Sequence, residues 1–308
     1  MHFFYESISI QAWIAFILLF VVMLLLNEFS RRSLWAGILM FIILPLFLSF
    51  VVWPKTSAGT NVDNWFQHAK IISVNLGAWI FLALRYSKRV QSWNWYKVLP
   101  MLILVINILE AVEREFEISH MTTTTVVDGM TYLGGTWNVV NAWAGILNIL
   151  ILCGWFGIYV SKDKNRTMIW PDMLWFWIIA YDLWNFTYAY NALGDRSFYV
   201  FPVLFSATLA AHFIRKGAWL QHRTHTLAFN QLIMFTWPAL FVSSSIAVHS
   251  SWNPAAMWLL SIISFVFNLG VFIYQVKTII AKKKNPFKDE LYTDHKDYIE
   301  LKEMEEQF

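Results

Sequence analysis

Nine stretches of this sequence are apolar for long enough to cross about 30 Å of hydrocarbon as helices, which takes roughly 20 residues each. Within a few residues they cover 10–27, 34–53, 67–84, 98–113, 137–160, 173–191, 197–214, 226–248 and 254–276. A water-soluble core cannot hide nine such runs. Of the 308 residues, 58% are hydrophobic and 14% charged, outside the range of a soluble domain of this size. In lipid the backbone must satisfy its own hydrogen bonds, and a helix does so within one segment. The expected fold class is therefore all-α: a polytopic transmembrane helical bundle of about nine spans over residues 1–281, followed by a charged tail over 282–308.

The basic residues test this count independently, because cytoplasmic loops hold most of the Lys and Arg of a membrane protein. With the N-terminus outside, 19 of the 23 fall on the cytosolic side, and only Lys55, Lys70, Arg114 and Arg196 remain for the outer side. One miscounted helix in mid-chain would destroy that alternation, so the expected topology is N-terminus outside and C-terminus cytosolic. Residues 1–9 contain no Lys or Arg and no small-residue cleavage site follows, so the first run reads as a retained span rather than a signal peptide. The tail opens on Lys282, Lys283 and Lys284 and ends on Glu300, Glu303, Glu305 and Glu306. It is too polar to enter lipid, and its acidic end is expected to stay solvated and to be dispensable for insertion. The segment 116–136, with four consecutive threonines and the Gly134, Gly135 pair, reads as a flexible external connector or lid.

Polar groups inside apolar runs mark the candidate site, since an ionisable side chain at mid-bilayer costs at least a few kcal/mol. Asp182 lies near the middle of the sixth run, with Tyr181, Asn185 and Tyr188 on its face at helical spacings of three and four. Asn107 and Glu110 share a stripe of the fourth run, and Asn141 and Asn148 fall with Asn138 on one face of the fifth. These eight residues, Asp182, Asn185, Tyr181, Tyr188, Asn141, Asn148, Asn107 and Glu110, are the expected substrate-binding set around a polar cavity. Ser261, Ser264, Asn268 and Gln275 on the last run read as a helix-packing stripe.

His212, His222 and His225 stand beside Arg215, Lys216 and Arg223 and read as a solvated basic loop rather than metal ligands, because no carboxylate or thiolate is local. His68 and Lys70, near Asp63, read as an interfacial cluster. Cys153 is the only cysteine, which excludes disulfides within the chain and thiolate metal clusters. P-loop, Rossmann, nucleophile-elbow and HExxH signatures are missing, so no cofactor and no metal is expected. A net charge of +3, distributed by topology, implies no nucleic-acid partner. The expected partners are the lipid bilayer and a small-molecule solute.

The run from Tyr181 to Tyr188, Tyr-Asp-Leu-Trp-Asn-Phe-Thr-Tyr, together with Gln221, His222, Arg223, Thr224 and His225, resembles an uncharacterised family of bacterial multi-pass membrane proteins. The resemblance covers about 137–235 and implies a multi-pass protein of the bacterial inner membrane, that is, the plasma membrane. It supplies no substrate and no functional residue. From the residues themselves the expected function is transport of a small polar or cationic solute, with Asp182 as the intramembrane carboxylate. The alternative is an intramembrane enzyme acting on a lipid or quinone-like substrate, with Asp182 or Glu110 as acid or base.

Overall fold

A computed structural model describes residues 3–127 and 129–306, without the side chains of Glu305 and Glu306. The first two residues, Asp128 within 116–136 and the last two residues of the expected tail therefore lie outside the described residues. Among the described residues nine long helices follow one another: α1 (Ile10–Arg32), α2 (Leu34–Thr56), α3 (Trp65–Tyr86), α4 (Asn94–Ser119), α5 (Thr136–Leu150), α6 (Trp175–Ala192), α7 (Ser197–Ile214), α8 (Trp219–Thr236) and α9 (Pro254–Lys282). A tenth, α10 (Lys296–Glu306), lies in the tail. Two short antiparallel hairpins, β1 (Thr125–Val127) with β2 (Met130–Tyr132) and β3 (Tyr159–Val160) with β4 (Met168–Ile169), are the strands among the described residues.

Six of these helices, α1, α2, α3, α4, α7 and α9, are long and apolar enough to cross a membrane. This is an integral membrane protein. Of the other three expected spans, α5 and α8 differ from their predicted bounds for physical reasons. α5 stops at Leu150, and the chain beyond it does not resume the helix: Gly154 has a φ of +65°, and a Cβ there would stand 2.7 Å from that of Asp172. α8 begins seven residues before the predicted 226 and ends at Thr236, where Trp237 precedes a proline that cannot continue the ladder. α6 matches the predicted run, yet it is mostly buried in protein.

α2 crosses two prolines without breaking. Pro45 and Pro54 each follow a π-helical turn, Leu39–Ile43 and Leu48–Val52, and the wider turn absorbs the missing N–H.

The connections gather at two opposite ends of the bundle. At one, Glu6 N–H donates to the His249 carbonyl (3.0 Å), Asn61 Nδ2 to the Pro238 carbonyl (3.0 Å), Thr131 N–H to Asp195 (2.6 Å), and Asp195 meets His249 (2.9 Å). At the other, Arg85 donates to the backbone carbonyls of Arg31, Asn165 and Arg166, and Trp170 N–H donates to the Gly217 carbonyl. Each of the nine helices therefore runs from one end to the other. The segment 116–136 contains the β1–β2 hairpin, which Thr131 pins to Asp195, and is not a free connector.

The tail folds back on the second end. Asp172 accepts from Leu291 N–H (2.9 Å) and Tyr292 N–H (2.8 Å), the Tyr292 hydroxyl donates to Gln275 (3.2 Å), and Lys216 pairs with Asp297 (2.7 Å) and Glu300 (2.6 Å). Leu291, Tyr292, Tyr298 and Leu301 are buried while Glu300 and Glu303 stay exposed, so the acidic side chains keep to water and a few apolar side chains within the charged stretch find a ledge to cover. Gly217 makes room for it. Its φ is +77°, and a Cβ there would come within 2.9 Å of Leu301.

The core divides into two halves. In one, α4, α5, α6 and α9 pack around Ile108, Ala142, Trp177 and Trp184, joined by Phe81 of α3, Leu204 of α7 and Trp219 of α8; in the other, α1, α2, α3, α7 and α8 pack around Met23, Phe41, Ala78 and Phe229. Contacts between α3 and α4 and between α6 and α7 join them.

Candidate functional site

α8 is the least apolar helix of the bundle and sits where lipid cannot reach it. Nearly every residue of it is buried, against α1, the end of α2, α3 and α7. One face carries Arg223, Leu227, Asn230, Gln231 and Met234 at spacings of three and four, and that face borders a cavity at the seam between the halves. α3 contributes Gln67 and Lys70, α4 Asn107, α6 Tyr181, Asn185 and Tyr188, and the start of α7 Arg196. The cavity volume open to water-sized guests is about 50 Å³.

Charge in the cavity is arranged from three sides. Lys70 Nζ lies 2.7 Å from Glu110 Oε2 and donates to the Asn107 carbonyl (2.8 Å), while Ser73 Oγ donates to the same carboxylate (3.3 Å). Arg223 Nη2 donates to Asn185 Oδ1 (3.2 Å), with its guanidinium 5.9 Å from the Tyr181 ring centroid. Arg196 donates to the Asn61 carbonyl (3.3 Å) and faces Met234 Sδ (3.7 Å). Several buried atoms here have no hydrogen-bond partner: the Tyr188 hydroxyl, Gln67 Oε1, Gln231 Oε1, Arg196 Nε, and Arg223 Nε and Nη1. Buried polar atoms are ordinarily satisfied, so such a concentration calls for a polar guest.

Five of the eight residues expected from sequence meet at this cavity: Asn107, Tyr181, Asn185 and Tyr188 line it, and Glu110 reaches it through Lys70. The other three lie elsewhere. Asn141 donates to Glu115 Oε1 (2.7 Å) and accepts from Ser264 (2.7 Å), and Asn148 donates to Asn268 (3.1 Å). Asn138 also donates to Glu115. These amides join α4, α5 and α9 in a packed polar seam, whose fully buried centre is Glu115. Asp182 turns toward α7, where Thr208 Oγ1 donates to it (2.5 Å) and Trp219 Nε1 donates to Thr208 (3.0 Å).

Lys70, Arg196 and Arg223 were not expected here, since each sits near the end of a run and reads by topology as a loop charge. His222 and His225 are likewise buried in α8, sharing Asn27 at 2.8 and 3.0 Å, which corrects the solvated-loop reading. Among the described residues no group of three or more His, Cys, Asp or Glu stands close enough to hold a metal ion.

The sequence profile of a family of unknown function, DUF5692, matches residues 6–304. The chain belongs to that family. No curated protein and no solved structure matches it. Membership in DUF5692 agrees with the resemblance to an uncharacterised family, and it assigns none of the cavity residues a role.

Proposed function

We propose that the protein is a nine-span transporter of the plasma membrane that binds a small polar solute in the cavity between its two halves. The observation that carries this reading is the cluster of partnerless buried polar atoms around Asn185, Tyr188 and Arg223, at the seam between the halves. Amides and hydroxyls would fix the solute, and Phe66, Tyr181 and Tyr188 would pack on its body. The test is thermal unfolding of the purified protein against a library of small polar solutes. A binder should raise the Tm, and the rise should vanish in Asn185→Ala when each protein is compared with its own Tm without solute. A library that gives no cavity-dependent shift would refute the reading.

The proposed topology places the N-terminus outside and the C-terminus in the cytosol, as the distribution of Lys and Arg requires. A cysteine at Thr123 should label from outside in a Cys153→Ala background, and a reporter after Lys284 should be cytosolic. Both appearing on one side would exclude nine spans.

A second reading, an intramembrane enzyme acting on a lipid or quinone-like substrate, is favoured by a groove between α6 and α7. Its walls include Trp175, Ile178, Ile179 and Leu209, together with Thr208, which is bonded to Asp182. Product formed from membrane lipid or quinone by the wild type and not by Asp182→Asn would select this reading over transport.

A further inference from the structure

We infer that the cavity takes an anion: a small organic solute with a carboxylate, sulfonate or phosphate head, held by Arg223, Arg196 and Lys70. The inference rests on the solute-site reading above and narrows it.

All three cations are more than nine-tenths buried, with exposures of 5% for Arg223, 3% for Arg196 and 6% for Lys70. They come from α8, the start of α7 and α3, so their convergence is a product of the tertiary fold. Only Lys70 has a carboxylate of its own, Glu110 at 2.7 Å. Among the described residues no carboxylate oxygen lies within 4.0 Å of the Arg196 or Arg223 nitrogens. The carboxylates in the region are engaged by other groups: Asp182 by Thr208, Asp195 by His249 and Thr131, Glu117 by Arg114, and Glu115 by Asn138 and Asn141.

Removing a guanidinium from water costs several kcal/mol unless an opposite charge and hydrogen bonds replace the water. Arg223 has one such bond, to Asn185, and its Nε and Nη1 have none; Arg196 Nε has none either. A planar fork of N–H donors matches the two oxygens of a carboxylate or the oxygens of a phosphate, which supply the missing charge and acceptors together. A cationic guest would meet three positive groups and a single carboxylate already held by Lys70. The other walls, Phe66, Tyr188, Leu193, Val200 and Met234, suit an apolar or aromatic body attached to that head.

The test reads the sign of the charge that the cavity attracts, without knowing the natural solute. Val200 lines the cavity and is only partly buried, and Val200→Cys in a Cys153→Ala background places one reactive thiol there. Modification rates are compared for an anionic sulfonatoethyl and a cationic trimethylammonioethyl methanethiosulfonate, each divided by its rate with a small free thiol. The anionic reagent should be favoured by about tenfold or more, the scale on which a charged cleft raises encounter rates. That preference should collapse in Arg223→Gln and persist in Arg223→Lys. Arg196→Gln provides a second neutralisation should the first variant fail to fold. A preference for the cation, or an anion preference that neither neutralisation reduces, overturns the inference while leaving a solute cavity in place. A thiol that reacts with neither reagent until the protein is denatured contradicts the solute-site reading itself, and the anion with it.

Discussion

Asp172 lies outside the spans and anchors the tail by accepting two backbone N–H groups, from Leu291 and Tyr292. Burial pushes its pKa above the ordinary carboxylate value, against the pull of those donors. An acid whose pKa is raised on folding contributes stability below its unfolded pKa, and that contribution is lost as pH rises through the folded value. The Tm of the wild type relative to Asp172→Asn should therefore fall from acidic to neutral pH. A relative Tm that rises would mean that the two N–H donors outweigh burial. Individual residues were legible in sequence where helical spacing linked them to an unexpected polar group: Tyr181, Asn185 and Tyr188 around Asp182, and Asn107 beside Glu110. Asp182 itself faces Thr208, because a spacing rule gives a face but not the neighbour on that face. Lys70, Arg196 and Arg223 escaped because Lys and Arg near the ends of apolar runs are usually interfacial. The polar run from Gln221 to His225, continued by Asn230 and Gln231 at helical spacing, was the available signal for α8 as a buried central helix.

Among the elements, the tail departs most from its composition. Leu291 and Leu301 are almost fully buried, and burial of two leucines is worth about 3 kcal/mol or more. Deleting 289–308 should lower the Tm by several degrees and leave membrane insertion unaffected, because no span is lost. A deletion variant with the wild-type Tm would show that the docked tail adds nothing to the stability of the bundle. The helices themselves were legible because lipid admits few alternatives, and six of them fulfil length and hydropathy together. The predicted ends failed where the chain leaves the helix early: Gly154, with its positive φ, lies beyond the end of α5, and Pro238 follows α8. α8 was hard to delimit because its polar face is covered by protein, so hydropathy locates only its apolar half.

At the scale of the whole molecule, two helical halves meet along a seam that holds the cavity, with α8 from one half facing α6 from the other. The alternation of connections between two ends was readable from charge alone, whereas the division into halves depends on packing that periodicity does not encode. The most direct test of transport is flux. Protein reconstituted in vesicles should take up the solute that raises its Tm, in a saturable manner. Ala189→Trp, which fills the cavity from α6, should reduce uptake at least about tenfold, in line with lost site complementarity. Binding of that solute without flux in the wild type, or equal flux in Ala189→Trp, would contradict a transport site at this seam.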